Sequence, residues 1–195
     1  MLIHTARFSI ALILAAGSGH AQQHAPSPYA GSEGREIASL SEDDLAELRA
    51  GLGWGLALPA ELNGVPGPTH LLELADEIGL SDTQIEELTG IRDRMRAEAI
   101  AAGEAFIASE RALDSAFATG VPDAATLARL VSAAGTARAA LRLAHLSAHL
   151  RTVPLLTEGQ VATYNRLRGY GASDPCAKVP EGHDPVMWRK HNGCG

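Results

Sequence analysis

The chain has 195 residues, with 16 Lys and Arg against 23 Asp and Glu, for a formal net charge of −7. No stretch concentrates Lys and Arg, which makes nucleic acid and anionic membrane surfaces poor candidate partners. Ala, Leu, Glu and Arg dominate the middle of the chain and aromatic residues make up only 4%, the composition of long helices and not of sheets.

Residues 1–21 have the three parts of a secretory signal peptide: a weakly basic start (His4, Arg7), an apolar run from Phe8 to Ala16, and the small residues Gly19 and Ala21 before the cut. The run is far shorter than the roughly 20 apolar residues of a membrane span, and no later stretch is longer. A soluble periplasmic protein is therefore expected. Removing Arg7 with the signal leaves 15 of the 16 basic residues against all 23 acids, a charge of −8.

Residues 22–40 are rich in Pro, Gly, Ser and Gln and read as a flexible leader. A helical domain is expected over residues 41–170 and a tail over 171–195. Ser41, followed by Glu42, Asp43 and Asp44, caps a short helix that stops near Gly51. Between Gly51 and Pro68, five Gly and three Pro surround Trp54 and several Leu, the pattern of an irregular arm wrapped against another surface. Pro68 then starts a helix with Leu71, Leu74, Ala75 and Ile78 on one face, ended by Gly79.

Ser81 and Gln84 form a capping box, the Ser81 hydroxyl taking a first-turn amide while Gln84 reaches back. Beyond it, Ile85, Leu88, Met95, Ala99, Ala102, Phe106, Leu113 and Phe117 recur at helical steps, predicting one helix from about Asp82 to Ala118. The segment from Thr119 to Asp123 is a turn. A partner helix is predicted from about Asp123 to Thr152 on Leu127, Leu130, Ala134, Ala137, Leu141, Ala144 and Ala148. So short a link makes the two helices antiparallel neighbours. Gly103 is expected against Ala137 to Ala140, and Gly135 against Ala105 to Ala108. Thr157 and Gln160 repeat the capping box before a last short helix with Val161, Tyr164 and Leu167. The fold class is all-α: a long antiparallel helical hairpin with short flanking helices. Leu143, Leu146, Leu150 and Val153 give the second long helix a further apolar face, which predicts a homodimer.

The two segments Leu80-Ser-Asp-Thr-Gln84 and Leu156-Thr-Glu-Gly-Gln160 carry a resemblance. The second matches the Leu-Thr-x-x-Gln signature of the periplasmic Spy/CpxP family, and the first matches with Ser in place of Thr. From about Thr69 to Tyr170 the chain resembles that family, each motif opening a helix at either end of a long hairpin. The resemblance implies an envelope-stress protein: an ATP-independent chaperone that cradles unfolded clients, or a CnrX- or ZraP-like heavy-metal sensor or resistance component working with a membrane sensor partner. The chaperone members resemble basic cradles, from which this acidic chain departs. Gln84 and Gln160 read as structural on the capping mechanism.

His145 and His149 lie one turn apart on the second long helix, in a strip between two apolar faces that is expected to be half-buried. His70, with Glu73 one turn on, begins the helix that lies along the same end of the hairpin. Three imidazoles and a carboxylate suit Zn²⁺, Cu²⁺, Ni²⁺ or Co²⁺, and sensor members of the family are similar in pairing ligands one turn apart on the later helix with ligands from earlier ones. The alternative is that His145 and His149 are hydrogen-bonded packing residues and His70 pairs with Glu73. Cys176 and Cys194 are the only cysteines, and in an exported chain they read as a disulfide closing the tail. A thiol–imidazole metal site with His183 and His191 is the other reading of the tail. No nucleophile elbow, phosphate-binding glycine loop, His-Glu-x-x-His or Cys-x-x-Cys occurs, so no enzyme is expected.

Overall fold

The computed structural model of this chain describes residues 27–170, 176, 179, 184–191 and 194. The signal peptide read at 1–21, leader residues 22–26 and His183 lie outside the described residues. The chain divides into two compact units, Met1–Glu33 and Gly34–Gly195. In the first, the described residues form a turn in which the Ala30 amide donates to the Ser27 carbonyl at 2.9 Å.

The second unit holds helices α1 (Glu42–Ala50), α2 (Leu58–Glu61), α3 (Pro68–Glu73), α4 (Ala75–Ile78), α5 (Asp82–Ala118), α6 (Ala124–Thr152), α7 (Glu158–Leu167) and α8 (Pro185–His191), with a 3-10 turn at Val153–Leu155. The fold is all-α, and α5 and α6 pack closely as a helical hairpin. With 37 residues, α5 is about 55 Å long at the α-helical rise. Asp123 starts α6 by accepting the Thr126 amide at 2.8 Å.

Both capping boxes form, and they are joined. The Ser81 hydroxyl accepts the Gln84 amide at 3.2 Å and the Thr157 hydroxyl accepts the Gln160 amide at 3.2 Å. The Gln84 side-chain amide then donates to Gln160 Oε1 at 2.9 Å, and that of Gln160 donates to Gln84 Oε1 at 3.0 Å. The remaining amide hydrogens reach the Leu155 carbonyl at 2.7 Å and the Gly79 carbonyl at 3.1 Å. One short motif used twice thus ties the start of α5 to the start of α7. Beside it, Leu71, Ile78, Leu88 and Tyr164 form a core.

A second core gathers Ile37, Leu40, Leu45, Leu48, Leu56, Ala99, Phe106, Ile107 and Leu141. Ile37 and Leu40 are fully buried in it, so the flexible leader expected through Leu40 gives way to packed chain before α1: two large apolar side chains there outweigh the polar composition around them. α1 crosses the hairpin at Gly103, where an added Cβ would lie 2.7 Å from the Leu48 carbonyl oxygen. That corrects the expectation that Gly103 serves the approach of α6. Gly135, expected in close contact with α5, has open space beside it. The helix predicted from Pro68 to Gly79 is interrupted at Leu74, whose φ of −110° and ψ of 21° separate α3 from α4. Leu143 and Leu150 stay exposed, at 65% and 71%.

Candidate functional site

The site lies where the arm between α1 and α3 crosses the last turns of α6. The arm leaves α1 through Gly51, whose φ of 67° suits glycine and whose Cβ position would lie 2.9 Å from the Arg96 carbonyl oxygen. Trp54, at a φ of 43°, anchors it. The indole N–H donates to Asp44 Oδ1 at 2.7 Å, the ring lies 5.7 Å from that of Phe106, and the Arg138 guanidinium sits 5.5 Å over its face. Hydrogen bonds from Ser41 and then from Trp54 hold the Asp44 carboxyl below its ordinary range.

Under this arm His145 and His149 are 3% and 4% exposed, fully buried where the periodicity predicted half-burial. The helical wheel counts only neighbours on α6, and the arm supplies the rest. His149 Nδ1 lies 2.8 Å from the Val65 carbonyl oxygen. A carbonyl only accepts, so Nδ1 carries a proton and donates it there. Nε2 lies 3.8 Å from Glu61 Oε1. The Thr152 hydroxyl, 2.6 Å from the Pro66 carbonyl, holds the same stretch of arm on α6. Gly67 makes room for the imidazole: an added Cβ would lie 2.6 Å from His149 Cε1.

His145 Nε2 is buried and has no hydrogen-bond partner among the described residues. Burial first, and the neighbouring His149 second, lower the His145 pKa, with the Leu52 backbone opposing them. The ring is therefore neutral at pH 7.

Glu61 is the residue that the sequence reading missed. It is buried, and its Oε2 accepts hydrogen bonds from the Tyr164 hydroxyl at 2.7 Å and the Tyr170 hydroxyl at 3.0 Å. Burial and this carboxylate push the Tyr164 hydroxyl far above its ordinary pKa. A signal was present: Glu61 is the only charged residue between Gly51 and Pro68.

The four residues expected to act together are divided. His70 Nδ1 and Glu73 Oε2 lie 2.8 Å apart, a pair spent on each other at the edge of the site. His70, Glu73, His145, His149 and Glu61 nevertheless line one cavity of about 540 Å³. His149 Nε2 and Glu61 Oε1 lie 3.8 Å apart in its lining, and His145 lines the same cavity. Among the described residues no three His, Cys, Asp or Glu side chains stand together as a formed metal site.

In the tail, Cys176 and Cys194 are joined in a disulfide. Both sulfurs are thereby removed from the thiol–imidazole site considered for the tail. Compared with protein-family models, with curated proteins and with solved structures, the chain gives no match.

Proposed function

We propose that this chain is a non-enzymatic, exported envelope protein of the Spy/CpxP type that binds or senses a transition-metal ion at the floor of the arm-covered cavity. The observation that carries the reading is the buried His145 Nε2, a lone pair with no partner among the described residues. A buried polar atom left unmatched costs free energy, about 1–3 kcal/mol, and His149 and Glu61 line the same cavity. Zn²⁺, Cu²⁺, Ni²⁺ or Co²⁺ satisfies two imidazoles and a carboxylate together. The donor set departs from the one read in the sequence: Glu61 stands in for Glu73, and His70 is a neighbour.

The second coordination layer supports the same reading. His149 Nδ1–H is fixed on the Val65 carbonyl, which turns Nε2 towards the cavity side, the usual way a ligating imidazole is oriented. Glu61 is steered by two tyrosine hydroxyls. The lowered pKa of His145 reduces competition from protons. Export rests on the signal-like start, and the tail disulfide is at home in an oxidising compartment.

Titration of Zn²⁺, Cu²⁺, Ni²⁺ and Co²⁺ into the mature protein tests this. At least one metal binds stoichiometrically with sub-micromolar affinity, and the His145→Ala, His149→Ala double variant loses it. Binding that survives the double change unaltered rejects the site.

A second reading, an ATP-independent holdase, is favoured by one observation: large apolar side chains are exposed along the hairpin, among them Leu143, Leu150, Phe117 and Val121. Suppression of client aggregation at stoichiometric ratios without metal would support it.

A further inference from the structure

The arm-covered cavity has an apolar lining that the metal reading leaves unused. The arginines and glutamates around it already have partners in the protein. Glu73 pairs with His70 and Arg92 with Asp93, each at 2.8 Å. Arg96 donates to the Ala50 carbonyl at 3.1 Å, and Arg168 donates to the Tyr170 hydroxyl at 3.3 Å. Glu61 accepts from Tyr164 and Tyr170. A charged organic molecule entering here gives up its hydration and meets groups whose bonds are already made.

The apolar side chains are not matched in this way. Leu52, Trp54, Ala57, Leu58 and Met95 line the same cavity. Met95 is buried, whereas Leu52 and Leu58 are 51% and 52% exposed. Both leucines stand on fixed backbone: the Leu52 amide donates to the Glu47 carbonyl at 3.0 Å and the Leu58 amide to the Gly55 carbonyl at 3.3 Å. Gly53, also in the lining, has nothing within 4 Å of its Cβ position, so the arm brings no side chain of its own to that space. The volume of about 540 Å³ falls among sites for small organic molecules, which run from about 300 to 1,000 Å³.

We propose that this cavity binds a small, uncharged, largely apolar organic molecule, seated against Leu52, Leu58 and Met95. Such a molecule takes apolar surface out of water on both sides of the contact. It also leaves the pairs made by the arginines and glutamates as they are. No metal ion takes part, so this site stands or falls separately from the metal reading.

N-phenyl-1-naphthylamine, an uncharged dye that brightens in apolar surroundings, and its 8-sulfonate, the same ring frame with a negative charge, form the test pair. Each is titrated into the mature chain in excess EDTA, which removes metal from the comparison. The uncharged dye is expected to bind at one site per chain with micromolar affinity, at least tenfold tighter than the sulfonate. A Leu52→Gln, Leu58→Gln variant, changed only at exposed positions, weakens it at least tenfold. A Leu143→Gln, Leu150→Gln variant leaves it unchanged, and circular dichroism checks that both variants keep their helices. Failure of the uncharged dye to bind, or a sulfonate that binds as tightly, overturns the proposal. An affinity untouched by the Leu52 and Leu58 changes does the same. Loss of binding in the Leu143 and Leu150 variant also overturns it, and assigns the dye to the exposed face of α6.

Discussion

Gln84 and Gln160 donate to each other across the base of the hairpin, each amide accepting from its own helix start and from its partner. All the hydrogen-bonding capacity of the two side chains is used on four segments of backbone and on each other. Ser or Thr followed three residues later by Gln is a helix start anywhere; used twice and face to face, it becomes a clasp between α5 and α7.

Gln84→Ala is expected to destabilise the protein by about 1–3 kcal/mol, because it strips a cap and strands part-buried partners. The Gln84→Ala, Gln160→Ala double variant should cost less than the sum of the two single ones, since each single change already breaks the shared bonds. Chemical denaturation of the four proteins measures the coupling. Additive losses would mean two independent caps.

The hairpin was legible in the sequence, with α5 expected from about Asp82 to Ala118 and found over that span. Period and caps are local signals, and a long helix repeats them many times. What periodicity cannot convey is the company a helix keeps. Nothing along α6 says that the arm lies over His145 and His149, or that Gly103 yields to α1 and not to α6. The division of His70 and Glu73 from the other histidines has the same origin: a pair three residues apart satisfies itself before it reaches across a fold. Glu61 was hidden by its setting, an acid in a segment that reads as linker.

Gly67→Ala places a methyl group against the His149 ring, within 2.6 Å of Cε1 and 2.7 Å of Nε2. With a backbone φ of −98°, no strain arises from the backbone itself, so the whole effect falls on the imidazole. A loss of about 1–3 kcal/mol in stability is expected from overpacking, with weaker metal binding as the ring moves. Denaturation and metal titration of the variant check both. Wild-type values in both would mean that the arm yields instead.

Asp44 gives a pH signature of the arm. Its folded-state pKa lies below the ordinary Asp value, so the stability it contributes is present above that ordinary value and is lost as pH falls through the depressed folded value. Asp44→Asn removes that titration and should flatten the acid limb of a stability–pH curve, with Trp54 fluorescence following the release of the arm. An unchanged limb would assign acid unfolding to other carboxylates.

Leu143 and Leu150 present an apolar face that the arm leaves exposed. Burying a leucine is worth about 1.5–3 kcal/mol, and closed two-fold pairing is the commonest way to cover such a face. A homodimer is expected at micromolar concentration, with Leu143→Glu, Leu150→Glu shifting it to monomer in sedimentation equilibrium. A wild-type monomer at high concentration would mean that the face serves another partner or none.

The most direct measurement is a competition titration of Zn²⁺ into wild type, His145→Ala and His70→Ala. If the unpartnered His145 Nε2 is a ligand, His145→Ala weakens binding by about 100-fold, some 2.7 kcal/mol, and His70→Ala changes it little. Equal affinity in wild type and His145→Ala, or a loss confined to His70→Ala, would contradict it.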